Sequence, residues 1–268
     1  MKYHWEEKRL EFGINSYVFW AKKPEGKALV FIHGFNGGPY TTFKQFDVLL
    51  RNYKEFAGCD IFFYGYSASK SQIAALAKGF VKMLLVLEKE CVELYNKSFK
   101  RVVLNPRNSN FKYDNIVIVS HSLGAILTRI ALIEINKSDS ELTKKFDMIL
   151  YAPAHFGAHL SETYAILPLG ILNLLASFKL GVKNSNDLRP SSKLIAKLLN
   201  DTKAIQSGKN YQFTIAKAVF WAEVEKVVIQ QDYLLDKPAI VIEKTNHQTV
   251  CKPKTDNCDQ FYLFKKAY

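Results

Sequence analysis

Residues 116–125 read Ile116-Val117-Ile118-Val119-Ser120-His121-Ser122-Leu123-Gly124-Ala125. Four branched apolar residues in succession describe a strand buried on both faces, as in a parallel sheet. The run stops at serine, histidine, serine and glycine, and a helical stretch follows from Leu123 to about Asn136. Small polar residues at such a bend serve a turn or a nucleophile equally well. The remainder of the chain has to decide between them.

Further short apolar runs occur at 27–33 (KALVFIH, stopped by Gly34), 59–64 (CDIFFY, stopped by Gly65), 146–151 (FDMILY), 217–222 (KAVFWA) and 238–243 (PAIVIE). Residues 10–20 alternate partially and predict an early antiparallel strand. From Ser71 onward, Ile73, Leu76, Ala77, Phe80, Leu84, Leu87, Cys91 and Leu94 recur at steps of three and four, one apolar stripe on a long helix. Residues 98–113 are basic and contain Asn, Pro and Ser, which predicts a loop or an extra hairpin. Strands alternating with helices imply an α/β fold with a mainly parallel central sheet and helices on both faces. Ligands of such sheets sit beyond the carboxyl ends of the strands.

No repeat, low-complexity tract or linker divides the 268 residues, so a single domain over 1–268 is expected. The composition, 48% apolar and 23% charged, is that of a globular chain with a full core. Cys59, Cys91, Cys251 and Cys258 form no CxxC pair and no zinc-like spacing. Cys251 and Cys258 could bridge in an oxidising compartment, but MKYHWEEKRL lacks the apolar core of a secretory signal. Reduced thiols and a cytoplasmic location are expected. The longest apolar stretch, 165–178 (AILPLGILNLLASF), is too short to span a bilayer. A net charge of +12 favours anionic surfaces, yet no nucleic-acid motif accompanies it.

The residues just after the apolar runs include His33-Gly34-Phe35, Ser120 to Gly124, Ala154-His155-Phe156-Gly157, Glu223 to Glu225 and Asn246-His247. Hydroxyl, carboxylate and imidazole occur there in the order Ser, acid, His. In this the chain resembles serine hydrolases of the α/β-hydrolase fold, in their lipase-like and esterase-like branch. The nucleophile elbow of that family is small-x-Ser-x-small, here Ser120-His121-Ser122-Leu123-Gly124 with Ser in place of the first Gly. The resemblance runs from the HGF turn near residue 33 to His247 and is weakest over 160–210.

The resemblance implies Ser122 as nucleophile, His247 as its base, and the backbone N–H groups of Phe35 and Leu123 as the oxyanion hole. A serine hydroxyl needs such a base to lose its proton at neutral pH. By the same resemblance Glu225 occupies the acid position, with Glu223, Asp232 and Asp236 as alternatives. His33, His121 and His155 are expected to flank the site and contact substrate. His155 and His159 are spaced for a metal, but no third ligand is evident, so neither metal nor cofactor is expected. A cap insertion is expected at about 160–208, carrying the apolar stretch and then Lys179, Lys183, Arg189, Lys193, Lys197, Lys203 and Lys209. An apolar inner face would suit a lipid-like acyl ester, and a basic outer face would suit peripheral contact with an anionic membrane. Competing readings are an inactive scaffold of the same fold, and thioester hydrolysis or acyl transfer by the same nucleophile.

Overall fold

The computed structural model describes residues 2–69, 71–99, 106–158, 187–190 and 192–268. Among the described residues eight strands form one sheet: β1 (Lys8–Arg9), β2 (Tyr17–Phe19), β3 (Lys27–Ile32), β4 (Cys59–Tyr64), β5 (Asn115–His121), β6 (Phe146–Tyr151), β7 (Ala216–Val224) and β8 (Ile240–Asn246). Their order is β1-β2-β4-β3-β5-β6-β7-β8. β2 pairs antiparallel with both β1 and β4, and the remaining pairings are parallel. The central strands are buried along almost their whole length, which is why they read as unbroken apolar runs.

Helices cover both faces. The short helices α1 (Pro39–Thr42) and α2 (Phe46–Asn52) share one face with the C-terminal helix Asp259–Ala267. There Phe31 of β3 meets Phe43, Phe46 and Phe264 at ring-centroid distances of 5.0, 5.3 and 6.3 Å. On the other face α3 (Ile73–Lys89) packs against α5 (Leu123–Ser138), and Phe80 of α3 lies 5.2 Å from Tyr64 of β4. The expected long helix is therefore two: Glu90, with φ −131° and ψ 18°, ends α3 and starts α4 (Cys91–Ser98).

Other boundaries also differ from those predicted. The early strand contracts to Tyr17–Phe19, because residues 11–15 bend to bring Ile14 N–H to the Gly65 carbonyl. Within 98–113, the described residues 106–113 form no hairpin. Arg107 instead crosses to buried Asp60, with bonds of 2.5 and 2.6 Å, and Tyr113 donates to the same carboxylate. Of the expected cap at about 160–208, residues 160–186 and 191 lie outside the described residues. Its far end is the helix Lys193–Gln206, which buries Ile195 and Leu198 and packs on α5. Cys59, Cys91, Cys251 and Cys258 are all free thiols. Among the described residues no helix is long and apolar enough to cross a membrane.

The strand order reverses beside β3. The chain passes from β3 to β4 on one side and then crosses to β5 on the other. The loops leaving β3 and β5 thus diverge at their carboxyl ends and open a crevice. Because Ile32 lies opposite Ser120 in the β3–β5 register, the turn after each strand meets the other there.

Candidate active site

β5 ends at His121 and α5 starts at Leu123, leaving Ser122 alone to turn the chain. Its backbone has φ 54° and ψ −120°, in the left-handed half of conformational space that serine rarely enters. A bend this sharp needs close backbone packing. A Cβ on Gly124 would lie 2.5 Å from the Ile32 carbonyl oxygen and 2.6 Å from that of His33. A Cβ on Gly34 would lie 2.8 Å from the Ser122 Cβ. The bend is held in place by the Ser122 N–H bonding the Tyr151 carbonyl (3.0 Å) and the Ser122 carbonyl accepting from the Ala125 N–H (3.0 Å).

Ser120, at the position usually held by glycine in such elbows, is fully buried without an unmet polar group. Its hydroxyl lies 2.7 Å from the Thr128 hydroxyl, which donates in turn to the Gly124 carbonyl (2.9 Å). Threonine one turn further along α5 accommodates the extra oxygen.

His247 follows directly after β8, and Glu225 directly after β7. His247 Nε2 lies 3.1 Å from Ser122 Oγ, and Nδ1 lies 3.0 Å from Glu225 Oε2. A hydroxyl on one side and a carboxylate on the other fix the neutral ring with its proton on Nδ1, so that Nε2 is free to accept. Glu225 is itself held: its Oε1 accepts from the Val227 and Val228 amides at 2.8 and 3.1 Å. Its side chain is 0% exposed and that of His247 is 5% exposed, which shields the chain of bonds from water.

The alternative acids are placed elsewhere. Glu223 is exposed and accepts from the Lys244 amide. Asp232 is exposed. Asp236 forms a buried ion pair with Arg129 and accepts from the Ala216 amide (2.9 Å).

Ser122 opens onto a cavity of about 370 Å³, bordered by Phe35 and Leu123 together with Thr41, Ala158, Leu188, Val227, Val228, Gln248 and Lys252. Leu123 contributes the first amide of α5, and such amides have no partner within their own helix. Phe35 follows Gly34, which touches Ser122, and the turn is tightened by Asn36 at φ 51°.

The three flanking histidines take different places. His121 borders the cavity, and its Nε2–H donates to the His247 carbonyl at 2.8 Å. Burial, then the nearby His247, push its pKa well below the ordinary 6.5. His33 and His155, expected to contact substrate, do not border the cavity among the described residues. His33 donates from Nδ1 to the Gly34 carbonyl (2.8 Å) and accepts at Nε2 from the Tyr66 amide (3.2 Å), stacked 4.2 Å from the Tyr66 ring. Burial lowers its pKa to about 4. His155 accepts at Nε2 from Arg129 Nε–H (2.9 Å), and its pKa is likewise depressed by burial and then by that guanidinium. Both rings are neutral props beneath the site.

Arg129 escaped the sequence reading. It lies on the buried side of α5, bonding His155, Asp236 and the Thr214 carbonyl. The available signal was a single cation within the apolar run ILTRIALI, which demands a buried acceptor. Among the described residues no group of three metal-ligating side chains assembles. His159 lies outside them.

No family model matches this sequence, and no curated protein does. Solved structures do resemble the fold. A lipase of Bacillus licheniformis in its mature form superposes with a TM-score of 0.55 at 18% identity, covering 91% of this chain and 94% of its own. Carboxyl esterase 2 of the fungus Tuber melanosporum gives 0.59 at 15% identity, covering 100% and 87%. A peroxisomal α/β-hydrolase of Saccharomyces cerevisiae gives 0.51 at 11% identity, covering 100% and 88%. Identities this low speak for architecture, and strand order, elbow and loop placement agree with it: the chain has the α/β-hydrolase fold.

Proposed function

We propose that this protein hydrolyses carboxylic esters through an acyl-enzyme on Ser122. The observation that carries the reading is the unbroken run of bonds from Ser122 Oγ through His247 to Glu225, made by residues 125 and 22 positions apart. Such a chain has no evident structural purpose at the mouth of a cavity, and it is the arrangement that activates a serine hydroxyl.

Ser122 Oγ attacks the ester carbonyl as its proton passes to His247 Nε2. The resulting imidazolium is stabilised by the Glu225 carboxylate. The oxyanion is received by the Leu123 and Phe35 amides, Leu123 adding the positive end of α5. Collapse breaks the acyl C–O bond, and His247 returns the proton to the departing alcohol. Water, deprotonated by the same imidazole, then releases the acid and regenerates Ser122.

The apolar border formed by Phe35, Leu123, Ala158, Leu188, Val227 and Val228 supports an acyl chain as the group accepted. The net charge of +12 supports transient contact with anionic membrane surfaces. Turnover of p-nitrophenyl esters of increasing chain length tests the reading. Activity lost in Ser122→Ala and in His247→Ala, and rising beyond acetate, is expected. A well-folded protein without turnover would instead be an inactive module of the same fold. Sedimentation with anionic vesicles, reversed by salt, tests the membrane contact.

A further inference from the structure

Return of the proton to the leaving group determines where that group lies. The departing atom must sit within hydrogen-bond reach of His247 Nε2, so the leaving portion of the substrate extends along the His247 loop. On that side the cavity is bordered by Gln248 and Lys252. Lys252 is half-buried and also borders a second, larger depression of about 700 Å³. Around this groove stand Lys44, Lys244 and Lys254, with Glu243 and Asp259 as its carboxylates among the described residues.

Among the described residues Lys97, Lys137, Lys144, Lys145, Lys197 and Lys217 pair with carboxylates. Among the described residues none of Lys44, Lys244, Lys252 and Lys254 pairs with a carboxylate. An unpaired cluster of ammonium groups, reached from the nucleophile by way of one shared lysine, suits a multiply charged anion.

We propose that this groove receives a phosphate carried on the leaving portion of the substrate, so that the enzyme selects acyl esters or thioesters whose alcohol or thiol bears a phosphate. The inference rests on the ester-hydrolase reading above and names its substrate class. The chemistry at the acyl carbon is unchanged: the C–O or C–S bond breaks, the Ser122 ester forms, and the phosphate itself is neither attacked nor transferred. A phosphate so placed could belong to a glycerophosphate lipid or to coenzyme A.

Two matched pairs of hexanoyl substrates separate these cases: 1-acylglycerol 3-phosphate against 1-acylglycerol, and acyl-coenzyme A against acyl-pantetheine. In at least one pair the phosphate-bearing member should show a kcat/KM about tenfold higher or more at low salt, with the difference shrinking as salt is added. Lys252→Met and Lys254→Met should each lower that ratio severalfold, whereas Lys144→Met, at the opposite end of the sheet, should leave it unchanged. A preference confined to the first pair assigns the lipid source, and one confined to the second assigns the thioester. Equal turnover within both pairs, or a preference indifferent to the groove lysines, overturns the groove while leaving the hydrolase intact. Absence of Ser122-dependent turnover of all four substrates overturns both.

Discussion

Ser122 holds a backbone conformation that costs about 1–3 kcal/mol, and the surrounding residues are what sustain it. The residue most sensitive to conservative change is Glu225. In Glu225→Gln the amide oxygen would still accept from the Val227 and Val228 amides, which turns the NH2 toward His247 Nδ1 and forces the ring into the wrong tautomer. A fall in kcat/KM of about a thousandfold is expected, against less than about twofold for Glu223→Gln, in a steady-state ester assay. His121→Phe should cost about tenfold, because the His247 carbonyl loses its donor, with His121→Gln recovering part of the loss. At this scale the resemblance to serine hydrolases singled out Ser122 and His247 in the sequence, and the structure brings them within 3.1 Å of each other. The acid was not: four carboxylates between 223 and 236 satisfy the same chain order. Only the folded loop, which wraps two amides around one of them, distinguishes Glu225.

At the level of elements, the site depends on how tightly α5 lies against the end of β3. Gly124→Ala would drive a methyl into two backbone carbonyls that cannot move without separating strand from helix. The expected cost exceeds about 3 kcal/mol, measurable as a drop in the thermal midpoint together with loss of activity. Ser120→Gly should cost only about 1 kcal/mol and keep activity, because Thr128 retains its bond to the Gly124 carbonyl. The central strands were legible because burial on both faces leaves unbroken apolar runs. β8 was seen only in part: its last residues, Lys244 to Asn246, are polar because the strand forms the sheet's edge. The break at Glu90 left no mark, since the apolar spacing continues through it from Leu87 to Cys91 and Leu94. The C-terminal helix drew no signal either, being nine residues long with Phe261 and Phe264 as its buried contacts.

Across the whole molecule, four histidines share one property: burial lowers the pKa of His4, His33, His121 and His155. The folded protein keeps these rings neutral where the unfolded chain, near 6.5, takes up protons. Stability is therefore complete above pH 6.5 and is lost as pH falls toward the folded value, about 4 for His33. Between pH 7.5 and 5 His33 alone should remove about 2 kcal/mol, and the other three act in the same direction. Denaturant unfolding at the two pH values checks this, and an unchanged free energy would contradict it. The fold class and the crevice were thus readable from periodicity, whereas the props beneath the site were not, because contacts such as Arg129 to Asp236 join residues 107 positions apart. The central claim, that Ser122 is an activated nucleophile, is tested most directly by mapping the adduct of a fluorophosphonate probe by peptide mass spectrometry. A single adduct on Ser122, absent after His247→Ala, is the predicted result. A folded protein that stays unmodified, or is modified at another serine, would contradict it.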